Sequence, residues 1–126
     1  MILADEKIRG YFGLGCEINE NGIRDFRRMN FHAIGSGQTQ AMNTMMFQKH
    51  DKKSDLKTAL YNVYKAKRNS EAASGVGKET DMLVLTRKGI ITITEQILST
   101  LNDIYMEELK YGVEHRKLLD LEIGRL

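Results

Sequence analysis

The apolar positions of this chain follow one period and then another, and the changes of period mark its elements. Phe12, Leu14, Cys16 and Ile18 alternate with Tyr11, Gly13, Gly15 and Glu17, and that period of two predicts a strand over about 10–18. Gly13 and Gly15 fall on one face, where another element can pack close to the sheet. Asn19-Glu20-Asn21-Gly22 predicts a hairpin turn, because Asn-Gly readily takes the positive φ values of such turns. The strand returning over 23–34 carries Arg24, Asp25, Arg27 and Arg28, a solvated edge with no interleaved aromatic platform for nucleic acid. Its end, Phe31-His32-Ala33-Ile34, runs straight into Gly35-Ser36-Gly37. Residues 1–7 fit an ordered strand start and a loose tail equally well.

Beyond that turn the period becomes helical. Ala41, Met42, Met45 and Met46 predict a helix over 37–49 with one buried face, and methionines at this spacing are core filler. His50-Asp51-Lys52-Lys53 reads as a solvated connection, Ser54 as an N-cap, and Asp55 as an acid near the positive end of the next helix. Leu56, Ala59, Leu60, Val63, Tyr64 and Ala66 stripe that helix over 54–74, and Gly75 and Gly77 end it. Met82-Leu83-Val84-Leu85-Thr86, Arg87-Lys88-Gly89 and Ile90-Ile91-Thr92-Ile93 predict a hairpin of two buried strands. Thr94 caps a last helix whose apolar face carries Ile97, Leu98, Leu101, Ile104, Tyr105 and Leu109; Gly112 interrupts it, and Val113, Leu118, Leu119 and Ile123 resume it.

The expected fold class is α+β: an antiparallel sheet packed by two antiparallel helices over 1–93, and a C-terminal helical extension over 94–126. The extension shows more apolar face than so small a core requires. It therefore packs on a second chain or docks back on its own sheet.

Composition narrows the function classes. A chain of 126 residues, 41% apolar and 29% charged, is expected to form one soluble domain. A net charge of +2 gives no reason to expect nucleic acid or a membrane surface as partner. The one cysteine, Cys16, rules out an internal disulfide, and no Cys and His cluster offers a zinc site, so a reducing cytoplasm is the expected compartment. The early charges Asp5, Glu6 and Lys7 leave no signal-peptide core. Gly35-Ser36-Gly37 followed by Gln38-Thr39-Gln40-Ala41 lacks both the Lys-Ser or Lys-Thr of a phosphate loop and the third glycine of a dinucleotide fingerprint. No cofactor is expected.

Taken together, Ala33-Ile34-Gly35-Ser36-Gly37, two helical stretches, Glu71-Ala72-Ala73-Ser74-Gly75 and Asp81-Met82-Leu83-Val84-Leu85 occur in an order that resembles the C-terminal half of a proteasome-type subunit. Such subunits belong to the N-terminal nucleophile (Ntn) hydrolase superfamily, and the likeness runs from about Gly10 to Ile93. The resemblance implies a partial Ntn-hydrolase sandwich and peptide substrates. It also implies amide hydrolysis by an N-terminal Thr, Ser or Cys whose own α-amino group takes the proton. By the same resemblance Ser36, Glu71 and Ser74, carried on turns with Gly35, Gly37 and Gly75, hold the nucleophile and its amino group in place. The family usually has aspartate where Glu71 stands, so the carboxylate here sits one methylene further out.

No residue of this chain is expected to be the nucleophile itself. It begins Met1-Ile2-Leu3, and nothing matches the acidic and lysine partners found on the family's early strands. Gly15-Cys16 has the form of a self-cleavage junction. Cys16 stands only twenty positions before Ser36, however, whereas the family places a whole sheet and two strands of catalytic residues in between, so it reads as an apolar strand residue. Structural roles stay open for the support set: Ser36 as a helix cap, Glu71 as a solvated helix residue, Ser74 as a partner of the last helical carbonyls.

Two functions are compatible with this pattern. One is the C-terminal portion of a proteasome-like hydrolase, inactive without its nucleophile-bearing half. The other is a non-catalytic assembly or protein-binding subunit, with a second copy of the chain or the missing half as partner. Because antiparallel helices set the start of one beside the end of the other, Ser36 and Ser74 are expected at one end of the helix pair.

Overall fold

A computed structural model of the chain describes residues 2–4, 16–19, 22–25, 30–51, 53–86 and 88–126. Its elements are, in order, β1 (Ile2–Ala4), β2 (Cys16–Asn19), β3 (Gly22–Asp25), β4 (Phe31–Ala33), α1 (Gln38–Phe47), α2 (Leu56–Ser70), β5 (Leu83–Thr86), β6 (Gly89–Thr92) and α3 (Glu95–Ile123). The chain is a small α+β protein with antiparallel strand pairs, and it divides into two compact units, Met1–Thr80 and Asp81–Leu126. β5 and β6 thus group with α3, while the pattern of the sequence places that hairpin with the first helices.

Among the described residues the strands form three separate two-stranded ladders, β1-β4, β2-β3 and β5-β6, instead of the expected sheet of four neighbouring strands. The long strand expected over 23–34 is two strands. Asn30 takes φ 62 just before β4, a left-handed turn of the backbone that an extended ladder does not accommodate and that asparagine tolerates better than most residues. β4 then pairs with the very start of the chain, Ile2 opposite Ala33 and Ala4 opposite Phe31. That pairing settles the choice left open for the N-terminus. β2 and β3 form the expected hairpin, Cys16 opposite Asp25 and Asn19 opposite Gly22, but Asn19 and Gly22, both placed in the turn by the sequence pattern, are strand residues. Residues 10–15, with their paired glycines, and Arg27 and Arg28 lie outside the described residues.

The core of the first unit is small. Phe31 and Ala33 of β4, Ala41 and Met45 of α1 and Ala66 of α2 are buried together, with Ile2, Met42 and Val63 packed against them. Alanine at 41 and 66, both fully enclosed, lets the two helices approach closely, and Met45 fills the space that remains. Met46 and Phe47 lie outside this face and are exposed, as is Leu56 at the start of α2.

Each helix end has a local cause. α1 stops at a left-handed Lys49, φ 53, and the His50 N–H donates to Met45 O (3.1 Å) while the Lys49 N–H donates to Met46 O (3.0 Å). That pair of bonds is the Schellman termination usually built on glycine. α2 is capped by Asp55, whose carboxylate accepts from the Thr58 N–H at 2.8 Å. The expected cap, Ser54, instead accepts from the Asp51 N–H across the preceding turn. α2 also closes at Ser70, four residues short of the expected end, and α3 begins at Thr94 as expected, its hydroxyl accepting from the Ile97 N–H.

Two further expectations are corrected in the second unit. α3 runs unbroken through Gly112: a glycine costs an exposed helix only about 1 kcal/mol relative to alanine, which the turns on either side offset. Leu83, Leu85, Ile90 and Ile91 of the β5-β6 hairpin are exposed, not buried: among the described residues these four-residue strands pair only with each other.

Candidate functional site

The residues singled out by their family pattern lie on two turns at one end of the α1-α2 pair. In the first, Gly35 takes φ +111, a region closed to side chains at low cost, and its carbonyl accepts from the Gln38 N–H at 3.1 Å. Gly37 is the N-cap of α1 and its carbonyl accepts from the Ala41 N–H. Ser36 makes no cap: α1 has no side-chain cap bond, and Ser36 is exposed. The second turn begins where α2 ends. The Ala73 N–H donates to Ser70 O, the Val76 N–H to Ala73 O, and Gly75 reverses the chain with φ +87.

The two turns touch. A Cβ placed on Gly37 would lie 2.7 Å from Ser70 Cβ, 3.0 Å from Val76 Cγ2 and 3.1 Å from Ser70 O, and one placed on Gly75 would lie 3.2 Å from Ser36 Oγ. Glycine is therefore a packing requirement at 37, while at 75 it is the left-handed φ of +87 that demands it. Ser36 sits beside Gly75, the residue that follows Ser74, while Ser74 itself is exposed.

Glu71 is drawn into a different set of contacts. Its side chain is 14% exposed and its Oε2 lies 3.1 Å from Lys67 Nζ and 3.5 Å from Arg68 Nε. Lys67 also donates to Gly77 O at 2.8 Å, which ties the loop after Gly75 back to the last turns of α2. Arg68 donates to the Tyr64 hydroxyl. The role expected of Ser74, bonding the last helical carbonyls, belongs to Ser70, whose hydroxyl donates to Lys67 O at 2.6 Å. Glu71 is thus neither a solvated carboxylate nor an unpartnered one.

Sequence pattern missed the polar side chains that lock the helices in register below the turns. Asn69 Nδ2 donates to Thr44 Oγ1 at 3.0 Å, and that hydroxyl donates to Gln40 O. Further along, Asn62 Nδ2 lies 3.2 Å from His50 Nδ1 with both residues buried, and the His50 ring meets Phe31 edge to face at 6.2 Å. His50 is consequently a core residue, contrary to the expected solvated connection. It lies inside because the Schellman turn swings the chain back over α1. A polar residue between two helical stripes carries no period of its own, so only an alternation of Asn and Thr across the predicted interface could have flagged these positions.

Cys16 lies in β2. Among the described residues no group of three or more His, Cys, Asp and Glu side chains is placed to hold a metal ion, and no described helix is long and apolar enough to cross a membrane. Comparison with protein-family models and with curated proteins finds no match for this chain.

Proposed function

We propose that this chain supplies the C-terminal, supporting half of a proteasome-like Ntn-hydrolase domain. In that reading the exposed Ser36 and Ser74 hydroxyls stand ready to bond to a nucleophile and amino group brought by an upstream half, and peptides are the substrates. The observation that carries it is the contact of the Ser36-Gly37 turn with the Ser70 to Val76 segment. It sets Ser36 against the turn of Ser74 and Gly75, where the family pattern needs its support residues together. The chain alone does not hydrolyse peptides, because hydroxyls that lack an activating base are weak nucleophiles.

One observation favours a second reading, a non-catalytic assembly subunit on the same scaffold. Two cations of its own helix already hold Glu71, so its carboxylate has less capacity left to orient an amino group. Turnover of a panel of fluorogenic peptides by the full chain, with Ser36→Ala and Cys16→Ala as controls, tests both readings. No turnover is expected in any of the three. Activity lost in Cys16→Ala would overturn the proposal by making Cys16 the nucleophile. The DNA upstream of the Met1 codon separates the two readings: an in-frame Gly-Thr, Gly-Ser or Gly-Cys junction supports the hydrolase, and a ribosome-binding site supports the assembly subunit.

A further inference from the structure

We propose that Lys67 is the positioning residue of the turn that carries Ser74. The inference rests on the reading above, in which Ser36 and Ser74 serve a nucleophile and amino group brought by an upstream half, and it names the side chain that keeps their two turns in place. Lys67 lies in the last turn of α2. Its Nζ is 3.1 Å from Glu71 Oε2, ahead of the turn, and donates to Gly77 O at 2.8 Å, beyond it. One ammonium thus closes the loop 71–77 from both ends, with Ser74 and Gly75 between them.

The backbone does little of this by itself. The N–H groups of Glu71, Ala72 and Ala73 donate to Arg68 O, Asn69 O and Ser70 O, a tightening of the helix end that stops at Ala73. Within 74–77 the backbone is tied by the Val76 N–H to Ala73 O, a long bond at 3.3 Å. A charge-assisted bond is roughly twice as strong as a neutral one, and the Lys67 side chain is only 21% exposed, so water competes for it less than at an open surface. Arg68 also approaches Glu71 Oε2, at 3.5 Å, but it donates to the Tyr64 hydroxyl, back along α2. Both cations hold Glu71, and Lys67 alone of the two carries that hold across the turn. The loop so held is the one that meets Ser36: a Cβ on Gly75 would lie 3.2 Å from Ser36 Oγ, and one on Gly37 would lie 3.0 Å from Val76 Cγ2. Lys67 therefore acts on the two serines through the backbone of the loop.

Native-state hydrogen exchange of the full chain, read residue by residue by NMR, tests this. Lys67→Met keeps the apolar stem and removes the ammonium. It should speed exchange of the Val76 N–H about tenfold, the effect of losing one part-exposed charge-assisted bond, with the Val63 amide in the middle of α2 unchanged. Lys67→Arg should restore the protection, because a guanidinium has donors enough for both oxygens. Arg68→Met, which also strips a cation from Glu71, should leave Val76 as in the native chain. If Lys67→Met loosens α2 as a whole, Glu71→Gln carries the test: it weakens the anchor ahead of the turn with Lys67 in place, and Val76 exchange should rise while Val63 stays protected. Unchanged Val76 exchange in the deciding variant overturns the proposal, as does an equal rise in Arg68→Met or a failure of arginine to rescue. Each of these outcomes leaves the reading of the site standing, whereas peptide turnover lost in Cys16→Ala removes that reading without touching the exchange of Val76.

Discussion

Gly37→Ala is the sharpest probe of the contact between the two turns. Gly37 has φ −96, which alanine adopts without strain, so the backbone itself does not oppose the change. Loss of chain freedom in the unfolded state would by itself make alanine stabilising by about 0.4–1 kcal/mol. The new methyl, however, would sit 2.7 Å from Ser70 Cβ and 3.1 Å from Ser70 O, a side-chain stem and a backbone atom, neither of which can swing away. Overpacking of this kind costs about 1–3 kcal/mol, and exchanging glycine for alanine at an N-cap adds a few tenths. The balance is a net destabilisation of about 1–2 kcal/mol. Urea denaturation followed by far-ultraviolet circular dichroism measures it, with hydrogen exchange of α1 amides locating the loss in the first unit. Combined with Ser70→Gly, which removes the nearest atom, Gly37→Ala should cost less than the sum of the two single changes by about 1 kcal/mol. A neutral Gly37→Ala, or strictly additive costs, would refute the packing argument and with it the contact on which the proposed site rests.

Two other predictions concern helix ends. Lys49→Gly should stabilise the chain by about 0.5–1 kcal/mol in the same urea assay, because Lys49 holds φ 53 in a region costing a side-chain-bearing residue about 1–2 kcal/mol, offset in part by the extra freedom glycine loses on folding. Destabilisation would mean that the lysine side chain makes a contact worth more than the strain. Asp55 has its carboxyl held below the usual carboxylate range by the hydrogen bond from the Thr58 side chain and then by that from the Thr58 N–H, opposed by desolvation and helped last by the charge of Lys57. A lowered folded-state value means that the cap contributes fully above the ordinary carboxylate range and is lost as pH falls through the folded-state value, so α2 amides should exchange faster at acid pH in the native chain than in Asp55→Asn. Equal pH dependence in the two chains would remove Asp55 as the acid-sensitive cap.

Local signals carried much of this molecule into view before its tertiary structure. The three helices, the Thr94 cap, the Asn-Gly hairpin and both glycine turns were all legible, since each is set by a period or by φ demands within a few residues. So was the nearness of the turns, because a short connection between two helices leaves few ways to arrange them. What lay beyond sequence were choices among partners. Nothing local tells β4 to pair with Ile2–Ala4 instead of a neighbouring strand, or tells the β5-β6 hairpin to remain uncovered, because strand pairing and layer stacking are decided by competition among distant surfaces. The same holds for side chains within the first unit. Ser54 and Asp55 were equally good caps by residue type, and backbone geometry chose Asp55. Glu71, read as a residue inside a helix over 54–74, stands just past the last residue of α2, and whether its carboxylate reached inward or folded back on Lys67 and Arg68 depended on a few ångströms of side-chain reach, a distance that only packing fixes.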